Sequence, residues 1–296
     1  MRLPPALSAA RPAALYPLLF VALWSTGFIG AKFGLPYVEP LTFLTVRYAA
    51  VLVLMGLVVW HTRAPWPATL RECGHIAVTG VLVHAVYLGG VFIAIGHGLP
   101  AGVAALVVGL QPLLTALGAG WMLRERVRPA QWAGLAAGFA GVALVVAHKA
   151  AAGTSVATLW TLLFPVLLAL LAITAGTLYQ KRYCPSFDLR TGSLIQFLPS
   201  LVLTGLAAAA TETMQITWTA SFVFALGWLV LVLSLGAVTL LNVLIRSGSA
   251  VNVASLFYLV PPCTALVAWA LFGETLTGLA LVGMALTVLG VWLARK

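Results

Sequence analysis

The stretch PLLTALGAGWMLRE, Pro112 to Glu125, returns near the end of the chain as PPCTALVAWALFGE, Pro261 to Glu274. Six of the fourteen positions are identical, including the two bounding residues, at an offset of 149 residues in a chain of 296. The same offset holds without gaps along most of the sequence. Lys32 falls on Lys181, Pro36 on Pro185, Glu39 on Asp188, Thr42 on Thr191 and Gly27 on Gly176. Gly134 falls on Gly283, Gly141 on Gly290, and LVLMGL at 52–57 on LVLTGL at 201–206. Leucine and alanine matches carry little weight in such a chain; matched Pro, Lys, Gly and acidic positions carry more. An internal repeat of this length makes the fold two copies of one unit.

The medium in which those units fold follows from charge. Hydrophobic residues make up 62% of the chain and charged residues 7%, against about 25% charged in a soluble domain. No water-soluble core hides that much apolar surface, so the chain is an integral membrane protein. The net charge of +10 does not point to nucleic acid, because the basic residues sit in short turns between apolar stretches and form no face. The three cysteines, Cys73, Cys184 and Cys263, form no CxxC or metal-like cluster and read as small packing residues.

A transmembrane helix needs about 20 mostly apolar residues. Ten such stretches are present, at 13–33, 40–60, 74–97, 100–123, 130–148, 155–180, 190–210, 218–245, 250–272 and 276–294. Arg2 and Arg11 ahead of the first resemble a signal peptide, but no convincing cleavage site follows, so it is expected to stay as the first span. No alternating strand pattern supports a barrel. With both termini in the cytoplasm, Arg2, Arg11, Arg63, Arg71, Arg124, Arg126, Arg128, Lys181, Arg182, Arg190, Arg246, Arg295 and Lys296 fall inside. Only Lys32 and Lys149 fall outside, while Arg47 lies within a span. The positive-inside rule therefore predicts that orientation. Each repeat, 13–148 and 155–296, then holds five helices. Five is odd, so the second copy must lie upside down relative to the first. The expected fold is a single all-α transmembrane domain over 1–296, ten helices in two inverted five-helix repeats, with a substrate site near the midplane.

The chain resembles the EamA family of the drug/metabolite transporter superfamily. The resemblance rests on LWSTGFIGAKFGL with Trp24 and Gly27, on PLTFLTVRYAAVLVL with Arg47, and on the stretch from Pro112 to Glu125 followed by Gly134 and Gly141. It rests also on LFGETLTGLALVGMALTVLG in the ninth and tenth spans. It implies ten helices, cytoplasmic termini and export of small metabolites, often amino acids. It further implies a central cavity lined by spans 1, 3, 4, 6, 8 and 9. Multidrug relatives carry a glutamate in the middle of the first helix. Here that helix reads Leu23, Trp24, Ser25, Thr26, and all six acids, Glu39, Glu72, Glu125, Asp188, Glu212 and Glu274, map to turns or helix ends. A multidrug-type cation/proton antiporter is disfavoured.

The candidate substrate-binding residues are Trp24, Arg47, His84, Tyr87, Gln111, Asn242 and Tyr258. Arg47 lies about 10 Å into the second span, where burying an arginine costs up to about 3 kcal/mol. It reads either as a trap for a substrate carboxylate or as held by a structural partner such as Glu39 or a helix-end carbonyl, or as snorkelling. His84 sits mid-span with Tyr87 one turn on. It reads as a proton or substrate contact, or as a histidine bonded to a backbone carbonyl. Trp24, Tyr87 and Tyr258 are aromatics away from the interfaces where anchors belong. They suit walls for an amphipathic substrate, or helix packing. Tyr258 falls on Gly109 in the repeat, which would make a cavity lopsided. Gln111 and Asn242 could bond a substrate's amino or carboxylate group, or simply bridge helices.

Pro112 and Pro261 interrupt the fourth and ninth spans at equivalent points and are the candidate hinges. Ser25 and Thr174, also equivalent, could bond their own helix backbones. Glu125 and Glu274 read as structural charges near helix N-termini. No phosphate loop, HExxH or nucleophile elbow is present, so neither catalysis nor a cofactor is expected. The expected partners are a small-molecule substrate and the lipid bilayer of the inner (plasma) membrane; the oligomeric state is left open. The expected activity is export of a small metabolite, most simply an amino acid or similar amphipathic molecule, by alternating access. The rival readings are a non-transporting accessory protein and an intramembrane enzyme.

Overall fold

A computed structural model describes residues 10–122, 155–184, 186–247 and 253–273, with isolated positions between 129 and 133 and between 278 and 289. Apart from those positions, the predicted fifth and tenth spans lie outside the described residues, as do Glu125, Glu274, Gly134, Gly138, Gly141, Gly283 and Gly290. The rest is α-helical. The helices are α1 (Ala10–Gly34), α2 (Pro40–Thr62), α3 (Leu70–Gly96) and α4 (Ala101–Met122). They continue with α5 (Val156–Tyr183), α6 (Leu189–Thr211), α7 (Ala220–Ser247) and α8 (Val260–Phe272). Among the described residues, seven helices are long and apolar enough to cross a membrane, and α8 is a shorter apolar helix. In the repeat, α1–α4 correspond to α5–α8.

Local chemistry sets the helix ends. Pro40 opens α2, where its missing N–H costs nothing, and Arg63 closes it in the left-handed region at φ 47°. Thr69 and Glu72 form a capping box at the start of α3, which satisfies two orphan amides. Thr219 and Asp188 accept from the first-turn amides of Phe222 and Arg190 at 3.2 and 2.9 Å. Gly273 ends α8 at φ 62°, which glycine adopts without strain.

Two kinds of irregularity recur at the repeat offset. π-helical turns interrupt α3 at Val81–Val86 and α7 at Leu229–Ala237; the first, shifted by 149, falls inside the second. α4 breaks at Gly109–Leu110, ahead of Pro112. At the equivalent place a 3-10 turn, Ser255–Leu259, precedes Pro261. Non-α backbone at depth survives where neighbours or a cavity satisfy the freed groups.

Packing crosses between the halves. α2 and α6, which are repeat equivalents, lie side by side and antiparallel. The amides of Leu41 and Thr42 donate to the Glu212 carboxylate beyond the end of α6, both at 2.7 Å. At the other end Thr191 of α6 donates to the Pro65 carbonyl at 2.8 Å. Thr42 and Thr191 are themselves equivalent. The first helix of each half packs on the third helix of the other. A Cβ on Gly27 would meet the Leu233 side chain at 3.2 Å, and one on Gly176 the Val83 side chain at 2.7 Å. Outward faces are apolar, as at Leu57, Phe164, Leu171 and Leu206, and Trp60, Trp121 and Trp218 stand exposed at helix ends. That is the surface of a protein in a bilayer with interfacial tryptophans.

The α1–α2 turn and the α6–α7 turn exchange carboxylates. Glu212 caps α2, while Glu39 accepts from the amide and hydroxyl of Thr213, both at 2.7 Å. An antiparallel bridge between Val38 and Ile216 joins the same turns. The Thr213 hydroxyl and amide hold Glu39 below its ordinary value of 4.5. Because the folded value is depressed, the clasp is fully present above the ordinary value and is lost as pH falls through the depressed one. We expect the protection factors of the amides in residues 212–217, exchange being measured against its intrinsic rate at each pH, to fall between pH 6 and pH 3, and Glu39→Gln to flatten that dependence. Equal pH dependence in wild type and variant would refute the clasp.

Candidate functional site

A cavity opens where α1, α2, α3 and α7 meet. It is lined by Trp24, Gly27, Phe28, Arg47, Val83, His84, Tyr87, Leu88, Val91, Phe92, Leu233 and Val238. Four of the candidate site residues, Trp24, Arg47, His84 and Tyr87, therefore share one space. Its free volume is about 30 Å³, room for two or three waters and for no metabolite.

Each polar wall has a local cause. Arg47 is 2% exposed and its Nε donates to Ser234 Oγ at 3.0 Å. Glu39, the carboxylate nearest in sequence, is occupied by Thr213. Among the described residues, no carboxylate lies within ion-pair distance of Arg47. His84 sits in the first π turn. Its ring stacks on Phe197, centroids 4.1 Å apart, and neither ring nitrogen has a hydrogen-bond partner among the described residues. The backbone-bonded alternative is not realised; instead the His84 carbonyl accepts from Tyr48 at 2.8 Å. Ser234 lies in the second π turn. Both π turns thus carry a group of the site, since the wider turn re-aims side chains that a regular helix would place elsewhere.

The aromatic wall is continuous. Trp24 stacks nearly parallel on Tyr87, centroids 6.3 Å apart, and meets Phe257 edge-on at 5.3 Å. Phe20 packs on both Trp24 and Phe257. Offset and edge-to-face pairs of this kind each add about 0.5–1.5 kcal/mol beyond burial.

The other candidates fall elsewhere. Gln111 is fully buried, and its Nε2 donates to Thr177 Oγ1 at 3.1 Å. Asn242 accepts from Gln180 Nε2 at 2.7 Å. Both are bonded to side chains of α5, Gln111 from α4 and Asn242 from α7, and neither is on the cavity wall. Tyr258 belongs to the 3-10 turn before α8, and its side chain is outside the described residues. Pro112 and Pro261 each stand two residues past their breaks. A Cβ on Gly109 would come within 2.8 Å of Pro261 Cγ, so the two breaks meet across the halves. Ser25 and Thr174 each donate to the carbonyl four residues back, at 2.7 Å, which is the backbone alternative.

The cavity wall differs from the six spans implied by the family resemblance. Among the described residues, spans 1, 3 and 8 line the cavity and span 2 adds Arg47, spans 4 and 6 do not line it, and span 9 contributes only Phe257, packed behind Trp24. The reason is close packing. α4 meets α8 at Gly109, and a Cβ on Gly90 would lie 2.2 Å from the Pro165 carbonyl of α5. Sequence reasoning missed Ser234, Phe20, Phe92 and Phe257. A lone serine inside LVLVLSLGA was the one available signal for Ser234.

Comparison with known proteins covers the whole chain. The model of the EamA-like transporter family matches twice, at residues 11–147 and 157–295. A Salmonella typhimurium protein named "Probable amino-acid metabolite efflux pump" is 29% identical over 286 residues, covering 93% of this chain and 92% of the relative. A Streptantibioticus cattleyicolor protein named "Probable terminal-alkyne amino-acid exporter" is 32% identical over 291 residues, covering 94% and 92%. The "Uncharacterized inner membrane transporter YedA" of Escherichia coli is 27% identical, covering 94% and 88%. A solved crystal structure shares the fold with a TM-score of 0.71 at 21% identity over 96% of both chains.

Proposed function

The chain belongs to the EamA-like transporter family, and from that premise we propose that it exports a small amphipathic carboxylate, most simply an amino acid, across the inner membrane. The observation that carries this reading is Arg47: a buried guanidinium on an aromatic cavity wall, with Ser234 as its hydrogen-bond acceptor and, among the described residues, no carboxylate beside it. A buried cation without a counter-charge is costly, and a substrate carboxylate supplies one. Trp24 and Tyr87 then face the apolar part of the ligand, and His84 offers a hydrogen bond. The relatives named for amino-acid export support the same substrate class.

The proposed architecture is ten helices in two inverted repeats, 13–148 and 155–296, with both termini cytoplasmic. The antiparallel α2–α6 pair supports it, because equivalent helices running in opposite directions are what inversion requires. Transport proceeds by rocking of the halves about the cavity. Pro112 and Pro261 flank the paired breaks at which α4 and α8 flex. A cavity with room for a few waters must widen on one side, then the other, to pass a metabolite.

Proteoliposomes loaded with L-leucine or L-phenylalanine test this. Wild type should release either one faster than empty vesicles do, with and without a pH gradient. His84→Ala and Trp24→Ala should slow release about two- to tenfold at unchanged membrane abundance, the loss expected of one contact of about 0.5–1.5 kcal/mol. Wild-type rates in both variants would sink the site assignment. A wild type that moves neither amino acid would favour the accessory-protein reading.

A further inference from the structure

A second polar cluster lies outside the cavity, between α4, α5 and α7. Gln111 faces it from α4, with Thr115 one turn further along the same helix, Thr177 and Gln180 from successive turns of α5, and Asn242 from α7. All five side chains are at least 98% buried. Two hydrogen bonds tie it together, Gln111 Nε2 to Thr177 Oγ1 and Gln180 Nε2 to Asn242 Oδ1. Three polar atoms, Gln111 Oε1, Thr115 Oγ1 and Asn242 Nδ2, have no partner among the described residues. Leaving buried groups unpaired costs about 1–3 kcal/mol each, so a purely structural seam would be better served by apolar residues.

The other half of the molecule supplies that comparison. At the repeat offset, Thr177, Gln180, Asn242 and Gln111 become Phe28, Ala31, Ile93 and Val260, all apolar. Thr115 becomes Thr264, whose hydroxyl donates to the Ser25 carbonyl at 3.3 Å. Among the described residues, one seam is apolar with its threonine bonded, and its repeat equivalent is polar with three atoms unpartnered. The polar seam leads along α5 to the basic end of the bundle, where Lys181 Nζ donates to the Ile245 carbonyl at 2.9 Å and Arg246 to the Phe187 carbonyl.

We propose that this seam is a second binding station, on the path between the basic face and the central cavity, for the zwitterionic head of the substrate. This rests on the amino-acid reading given above. Gln111 Oε1 and Thr115 Oγ1 accept from the ammonium group, and Asn242 Nδ2 donates to the carboxylate. The station holds no formal charge, so it binds more weakly than Arg47. A weak first station lets a substrate enter without trapping it, as conduction through successive sites requires.

The test uses the full-length chain in sealed vesicles, with Cys73, Cys184 and Cys263 replaced by alanine. Thr115→Cys should react with a membrane-impermeant charged maleimide applied to the face bearing Lys181 and Arg246, and saturating L-phenylalanine should slow that reaction at least threefold. Thr264→Cys should stay unreactive from either face. A Thr115→Cys as inert as Thr264→Cys overturns the station, whatever is transported. Labelling that L-phenylalanine does not slow, in protein that transports it, overturns the head-group assignment. A wild type that transports neither L-leucine nor L-phenylalanine overturns the amino-acid reading and its head group, while the labelling result still decides the seam.

Discussion

Arg47→Leu should raise the KM for amino-acid export about 10- to 100-fold. The guanidinium is buried on the cavity wall and gives Nε to Ser234. A hydrogen bond to a charged group is worth about 1.5–3 kcal/mol, and each 1.4 kcal/mol is tenfold. Among the described residues Arg47 has no charged partner for the substitution to strand, which is what makes removal of a buried charge destabilising, so membrane abundance should hold. Arg47→Lys keeps the charge but loses the planar fork and should fall between. The sharper readout is selectivity. Wild type should prefer L-phenylalanine to phenethylamine, which lacks the carboxylate, and Arg47→Leu should erase that preference. Undiminished preference in the variant would remove Arg47 from the site and leave it a structural residue bonded to Ser234.

Gly80→Ala should cost far more stability than one methyl suggests. A Cβ there would lie 2.3 Å from the Gln196 carbonyl oxygen and 2.4 Å from its Cα. Both are backbone atoms of α6, so no rotamer change relieves the clash and α3 must move away from α6. Overpacking of this kind costs about 1–3 kcal/mol, occasionally more. The next turns hold the His84–Phe197 stack and the Tyr48 bond to the His84 carbonyl, so the separation would also loosen the cavity wall. Gly56 is the control, because a Cβ there meets nothing within 4 Å. In detergent, Gly80→Ala should melt several degrees below wild type, and Gly56→Ala should melt with it. Equal melting temperatures for the two variants would refute the close α3–α6 contact.

Much of the frame was legible in the chain. Hydropathy placed seven long helices within four residues of their ends, because a span's length is dictated by bilayer thickness and not by its neighbours. The 149-residue offset anticipated paired irregularities in α4 and before α8, because proline acts on its own backbone. Four central residues, Trp24, Arg47, His84 and Tyr87, were found by their oddity: polar or amphipathic groups at a depth that penalises them.

Pairing was not legible. Glu39 was a possible partner for Arg47 and instead serves Thr213, while Glu212, 170 residues beyond Thr42, caps α2. Gln111 and Asn242 looked like cavity residues and are bonded to α5 side chains instead. The π turns in α3 and α7 carry no proline or glycine pattern that separates them from ordinary helix. By itself the sequence determined the medium, the helices and their duplication, since those follow from local hydropathy and from self-comparison. Only the tertiary structure decided which side chains meet. That depends on helix rotation and on approach distances of a few ångströms, set jointly by residues that the repeat places in opposite halves of the chain.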